Sequence, residues 1–468
     1  MGTNRNGSTE ARAQVHAMSV AGSHTHRARS MGEVEYDIQS RRVATHSRNR
    51  ASADTRRIHS SRYTRYRAGG ILTGAKSFEW REQRRSRLAR RPTWYGRHPL
   101  ATIGLAITVG LAPALWSLGS AMSNPANGSP VAAAAEWVRS HGGSALVRSI
   151  ENFWYTHHQP PKGGQPPRGA IPAPVFTSNT PTVPKIVHLP APAPVVPLTS
   201  PPIPGEGQWH PAGRLVNGIP AVYESFLRPD PVHTSLVVGV AWMDTTLLNA
   251  TLYSGSTTPG DGPWQFTAPV SSQASTSLVA AFNSGFLMKD AGGGYYAEGR
   301  TVYPLRSGDA SIVIYANGQA TVGDWGRDVT MTPNVVAVRQ NLHLLVDNGQ
   351  PVPGLQANDT SQWGLTLGNQ VYIWRSGLGV TSNGALVYVG GPGLNITTLA
   401  DLLARAGAVR AMELDINTDW VNFTAYGPGP AAPADPANGS PLLESMSGGS
   451  SRYFTGWSRD FLTMSARS

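Results

Sequence analysis

Val409-Arg410-Ala411-Met412-Glu413-Leu414-Asp415, continued by Ile416-Asn417-Thr418-Asp419-Trp420, follows directly on a helical pattern over 397–406. In that pattern Leu399, Leu402, Leu403 and Ala406 share one face, Asn395 or Thr397 stands as N-cap, and Gly407 supplies the stop. A short apolar run that ends in acidic groups reads as a buried strand carrying carboxylates to its C-terminal edge, where they meet solvent and substrate. The plainer alternative is a capped strand followed by a polar turn.

Outward from this segment, strand-like stretches recur at 235–242, 246–253, 277–282, 311–315, 334–339, 343–346, 385–389 and 409–414. Turn signals separate them. They include Asn317-Gly318, Asn348-Gly349 and Asn383-Gly384, of which the last two are flanked by strand candidates as hairpins require. Many strands with few helices predict an α+β fold with a mostly antiparallel or mixed sheet.

The chain has 468 residues with 51 Gly and 37 Pro, which fits one folded domain plus extensions better than three domains. The formal charge of +11 is unevenly placed: residues 1–98 hold 21 Lys and Arg against 7 Asp and Glu, whereas 99–468 hold 18 against 21. The folded part is therefore slightly acidic. Residues 1–98 read as a disordered basic cytoplasmic arm, because ordering it would bring no apolar burial to offset the entropy lost. Its expected partner is the anionic lipid of the nearby membrane face, with nucleic acid as the lesser alternative, since no nucleic-acid fold signature or aromatic stacking motif accompanies it.

Residues 100–118 run without a charge and as a helix would span about 28 Å, which predicts a transmembrane signal anchor over 99–122. Arginines at 81, 84, 85, 87, 90, 91 and 97 crowd its N-terminal side, so the N-terminus is expected in the cytoplasm and the C-terminal domain outside. A cleaved signal peptide would need a charged region nearly as long as the arm. Residues 123–204 predict two short amphipathic helices, broken at Gly142-Gly143 near the outer membrane face, then an extended Pro-rich tether. The folded domain is expected over 205–468. With no cysteine it does without disulfides, thiol chemistry or thiolate metal sites.

Three clusters share the character of a strand ending in polar groups. Asn283 and Gly285 emerge from Leu278-Val279-Ala280-Ala281-Phe282 at a turn able to present backbone N–H groups to an anionic oxygen, although Asn-x-Gly is also an ordinary turn former. Arg339 with Asn341, and Arg375, follow apolar runs and offer planar forks suited to phosphate or carboxylate; surface ion pairing is the competing role. Glu413 and Asp415 share one face if the strand runs through them, close enough to divide into acid and base. Such a pair suits glycosyl hydrolysis, and a phosphate leaving group would make the arginines more useful than the acid.

Asp415, Asn417 and Asp419 copy the first three ligand positions of a calcium loop. Trp420 stands in place of the required Gly and Tyr426 in place of the bidentate Glu, so an EF-hand is excluded and calcium is left as a weak alternative to no cofactor.

The order of these clusters resembles the phosphodiester glycosidase family over roughly 236–423. The family's Asn-Gly-Gly-Phe-Phe motif corresponds to Asn283-Ser284-Gly285-Phe286-Leu287, and its Arg-Thr-x-x-Gly motif to Arg375-Ser376-Gly377-Leu378-Gly379. Its Gly-Leu-Thr helix, strand and Asp-Gly-Gly-Gly-Ser correspond to Gly393-Leu394 through Ala406 and then Leu414-Asp415. Where the family has glycines and a serine, this chain has Ile416-Asn417-Thr418-Asp419-Trp420. The resemblance implies a divergent exported member that hydrolyses glycosyl phosphodiester bonds of envelope or wall glycans. Asp415 and Glu413 are then the catalytic candidates, and Asn283, Gly285, Arg339, Asn341, Arg375 and Asn417 the substrate-binding ones. The alternative is a non-catalytic glycan-binding or wall-organising ectodomain that has lost the site.

Overall fold

The structure is a computed structural model that describes residues 98–124, 129–173, 187–357, 359–364, 370–427, 432–456 and 459–467, all within one unit, Pro92–Ser468. Apart from His98, the expected basic arm lies outside the described residues.

Three helices come first: α1 (Pro99–Ser123), α2 (Pro130–Val138) and α3 (Ser144–His157). By length and composition α1 can cross a membrane. Between α2 and α3 the chain kinks at Arg139–Gly143, where Gly142 takes φ +88°, so the expected break falls at its glycine pair.

The strands of the domain open with β1 (His210–Val216), β2 (Ile219–Leu227), β3 (Val238–Met243) and β4 (Leu248–Tyr253), then the short helix α4 (Ser272–Ser275) and β5 (Leu278–Asn283). Next come β6 (Tyr295–Ala297), β7 (Arg300–Tyr303), β8 (Ala310–Tyr315), β9 (Ala320–Asp324), β10 (Val335–Gln340), β11 (Leu344–Asp347) and β12 (Gln350–Pro351). A short α5 (Thr360–Trp363) precedes β13 (Ile373–Thr381), β14 (Leu386–Leu394), α6 (Ile396–Arg405) and β15 (Ala408–Glu413). The chain closes with β16 (Phe423–Tyr426), β17 (Gly439–Pro441) and β18 (Phe461–Ala466).

These strands form an eight-stranded sheet in the order β1-β2-β3-β14-β13-β15-β11-β12 and two five-stranded sheets, β7-β6-β10-β8-β9 and β17-β16-β5-β18-β4. The pairings of the named strands are antiparallel, as in β13 with β14 and β15, and β5 with β16 and β18. The expected α+β class with few helices is the one observed.

The large sheet is buried on both faces, which explains the near-continuous apolar runs of its central strands. On β14, Leu386 and Tyr388 enter a core shared with Phe282, Phe423 and Leu462 of one small sheet and Ile312 and Ile314 of the other. Val387 and Val389 point the opposite way, onto Leu399, Leu402 and Leu403 of α6. The helix sits this close because β13 carries Gly377 beneath it: a Cβ there would lie 2.8 Å from Leu403 Cδ1. Asn395 caps α6 by accepting from the Thr398 N–H at 2.8 Å.

The Pro-rich stretch departs from the expected spacer with no core of its own. Over 187–204 it is a strap on the domain: Val195 is buried in the core under α6, with Leu189 and Leu198 packed beside it. The Leu189 N–H donates to Asp244, and the Trp209 indole to the Ala193 carbonyl, both at 2.8 Å. The Arg228 guanidinium, paired with buried Glu206, donates to the Pro201 carbonyl at 2.7 Å. Extended proline segments expose every carbonyl, so apolar side chains between the prolines and waiting donors are enough to dock one.

Candidate active site

The strand ends read as polar from sequence converge where the eight-stranded sheet meets the β5 sheet. β15 pairs Glu413 with Gly377 of β13, and the ladder continues as Leu414 donates to the Ser376 carbonyl at 2.8 Å and Ser376 to the Asp415 carbonyl at 3.0 Å. From the other sheet Asn283, at the end of β5, donates to the Ser284 carbonyl at 2.9 Å and Ser376 Oγ at 3.0 Å. Its Oδ1 accepts from Tyr388 Oη at 2.9 Å and the Asn422 N–H at 3.0 Å.

Asn341 follows β10 and does the same for a third element. Its amide donates to the Glu413 carbonyl at 2.9 Å and accepts the Phe286 N–H at 3.0 Å. That approach requires a glycine next door, since a Cβ at Gly285 would lie 2.8 Å from Asn341 Oδ1. Asn283, with two donors and two acceptor bonds engaged, is occupied in joining strands. Arg339 is likewise bound into the framework, donating to Asp460 at 2.7 Å, to the Gln340 carbonyl at 2.5 Å and to the Phe286 carbonyl.

Two carboxylate–guanidinium pairs remain at the centre. Arg375, fully buried, donates to Glu413 Oε1 at 2.5 Å and to the Leu394 carbonyl at 3.1 Å. Glu413 Oε2 is buried and has no hydrogen-bond partner among the described residues. Burial pushes the Glu413 carboxyl up to about 7, against the pull of Arg375 and with a smaller push from Asp415. Asp415 takes Arg459 Nη1 on Oδ2 at 2.5 Å and the Asn417 N–H on Oδ1 at 2.9 Å. Burial raises its carboxyl, while Arg459, the Asn417 and Ile416 N–H groups and Arg339 oppose the rise. The Arg459 guanidinium stacks over Trp420, 3.8 Å from the ring centroid.

The residues after Asp415 form a turn. Asn417 accepts the Asp419 N–H on Oδ1 at 2.9 Å, and its carbonyl accepts from Trp420 and Val421. Asp419 Oδ2 accepts the Ser129 N–H at 2.7 Å. The oxygens proposed as calcium ligands thus turn onto separate N–H donors. Among the described residues no group of three or more His, Cys, Asp or Glu side chains is arranged to hold a metal ion.

Sequence reasoning missed Arg459 and Asp460. Both immediately precede β18, whose first residue, Phe461, lies opposite Asn283 in the register. In an antiparallel pair the start of one strand meets the end of its neighbour. Charged residues ahead of Phe461-Leu462-Thr463-Met464 were therefore the signal, at the opposite end from the one searched.

The α2–α3 hairpin lies across the loops that ring these pairs. Besides Ser129 on Asp419, Glu136 pairs with Lys289, in the loop after Phe286, and Gln159 donates to the Gln370 carbonyl at 3.0 Å, just before β13. Tyr155 of α3 is pushed up by burial and Glu151, and feels the opposing charges of Arg139 and Arg375.

The model of the phosphodiester glycosidase family matches residues 276–415. Among solved structures, the catalytic domain of zebrafish N-acetylglucosamine-1-phosphodiester alpha-N-acetylglucosaminidase, auto-inhibited by its pro-peptide, is similar at 13% identity and a TM-score of 0.34. The similarity covers 56% of this chain and 88% of that one. A hypothetical protein from Synechocystis is similar at 13% identity and a TM-score of 0.29, over 55% of this chain and 64% of its own. No curated protein matches. The family match ends at Asp415, where the bulky turn from Ile416 to Trp420 begins. The segment 276–415, which holds Asn283, Arg375, Glu413 and Asp415, is thus the part of the chain that is similar to the phosphodiester glycosidase family.

Proposed function

We propose that the protein is a membrane-tethered, extracytoplasmic hydrolase of glycosyl phosphodiester bonds in anionic envelope or wall glycans. The observation that carries this reading is Glu413: a buried carboxyl near neutrality, oriented by Arg375 through one oxygen and unpartnered at the other. Above about pH 7, Oε2 takes a proton from water as the water oxygen bonds to the anomeric carbon. The bond from that carbon to the phosphate oxygen breaks, and the phosphomonoester leaves as an anion that needs no proton. Arg375 and Arg459 favour the departing charge, and ionised Asp415 favours the positive charge that develops on the sugar ring.

The tether reading rests on α1 and on the arginines ahead of it, which by the positive-inside rule keep the N-terminus in the cytoplasm. The basic arm then faces anionic lipid.

A specific observation favours a second reading, a glycan-binding ectodomain without turnover. Asn283, Arg339 and Asn341 are all engaged in joining strands, so much of the polar cluster is already explained by architecture. Incubating the full chain with phosphodiester-linked glycans separates the two. Hydrolysis releases reducing ends and phosphomonoesters together; retention of the glycan without release supports the second reading and contradicts the first.

A further inference from the structure

The hairpin over the site has two faces, and only one is used by the domain. Val147, Glu151, Asn152 and Tyr155 of α3 turn inward, with Glu151 paired to Arg139 at the kink. On another face Leu146, Ile150 and Phe153 recur at helical spacing and stand 61%, 58% and 62% exposed, with Trp154 beside them at 55%. Among the described residues Phe153 and Trp154 stack only on His157 and His158 at the end of the same helix, and an exposed aromatic and aliphatic stripe of this kind calls for an occupant.

The register between α1 and α2 indicates which. The Trp137 indole, near the end of α2, donates to Ser117 Oγ of α1 at 3.0 Å, so the kink that leads into α3 follows directly on a contact with the outer part of that helix. From Leu100 to Ser117 the helix rises about 26 Å, close to the thickness of a bilayer's hydrocarbon core. Trp116, almost bare on α1, and Trp137 then fall at the boundary where such rings concentrate. Glu136, one residue before Trp137, binds Lys289 of the catalytic domain.

We propose that the outer face of α3 beds in the outer leaflet of the bilayer that α1 crosses, and so holds the loops around the site against the membrane surface. The proposal rests on the reading of α1 as a membrane anchor, not on the hydrolase reading. Its consequence for the substrate is a glycosyl phosphodiester carried on a lipid, reached from the plane of the bilayer.

The absence of cysteine makes the test direct, because a single introduced thiol is the only labelling site. The full chain is reconstituted in bilayer nanodiscs with nitroxide labels on Ile150→Cys or Phe153→Cys, with Leu105→Cys in α1 and exposed Val336→Cys on β10 as references. Labels at 150 and 153 are expected to collide with lipid-dissolved oxygen in preference to a water-soluble nickel chelate, as at 105 and unlike 336. Free access to the chelate with 105 still in lipid overturns the proposal, and so does shielding from both reagents, which would mean a protein partner. A label at 105 that reads as water overturns the anchor and this proposal together.

Activity reads the consequence. The same headgroup is offered in solution or on a nanodisc lipid, and the preference for the lipid-borne form is expected to disappear in I150S/F153S while soluble turnover stays. No preference in the parent chain contradicts the lipid-substrate consequence. No hydrolysis of either form strikes the hydrolase reading and leaves the label result to decide the membrane contact.

Discussion

In sequence Glu413 and Asp415 form a pair of carboxylates two residues apart, of which the family motif singles out Asp415, and their surroundings separate them differently. Asp415 has both oxygens occupied, whereas Glu413 keeps one oxygen unpartnered and a proton affinity near neutrality. The activity kcat/KM is expected to rise with pH through about 7 and level off above it. Glu413→Gln should lower turnover by roughly 10²- to 10⁴-fold and remove that rise. Asp415→Asn tests the other role: it strips Arg459 of its carboxylate partner, so thermal stability should fall by roughly 1–3 kcal/mol together with activity. An Asp415→Asn protein with parental melting behaviour would show that the pair with Arg459 contributes nothing. Calcium is judged at the same scale: a chelator should leave the melting temperature unchanged, because the oxygens of Asp415, Asn417 and Asp419 face N–H donors instead of one another.

At the scale of elements, the strand at 408–413 and the helix at 396–405 were legible because periodicity, cap and stop all agreed. The hairpin at Asn348-Gly349 was legible too, since both residues take positive φ, 50° and 76°, as the two-residue turn between β11 and β12 requires. Asn317-Gly318 also joins paired strands, β8 and β9, although its second strand, Ala320–Asp324, has too weak an apolar alternation to announce itself. β13 was hidden by its glycines, which weaken any strand signal but let α6 approach. Gly377→Ala should therefore destabilise the fold by about 1–3 kcal/mol, read as a lower melting temperature without loss of the sheet spectrum.

β2 carries a separate liability. Glu224 lies opposite His210 in the register, buried with Oε1 unpartnered, and desolvation lifts its carboxyl to about 8. Between its ordinary 4.5 and about 8 the folded protein keeps a proton that the unfolded chain has lost. Stability therefore falls as pH rises through that window, by up to about 1.4 kcal/mol per pH unit. Glu224→Gln should melt higher than the parent at pH 8.5 and alike at pH 4.5; equal melting at both would show that Glu224 is not the group that titrates.

Across the whole molecule, composition separated a basic arm, an apolar helix and an acidic domain, because each differs in charge or hydropathy over tens of residues. What composition could not supply was docking. The proline run reads as a spacer until Val195 is seen under α6, and the two short helices read as independent until Ser129, Glu136 and Gln159 are seen to bind the loops around Glu413 and Asp415. These contacts join residues far apart in the chain, where periodicity carries no information. The same holds for Arg459, brought to the site only by the pairing of β18 with β5.

The most direct test of this account is turnover of a defined sugar 1-phosphodiester by the full-length protein, with released phosphomonoester and reducing sugar measured side by side for the parent chain and for Glu413→Gln. Equimolar release by the parent, abolished in a variant that still folds, is the predicted result. Tight binding with no release, or undiminished release by Glu413→Gln, would contradict it.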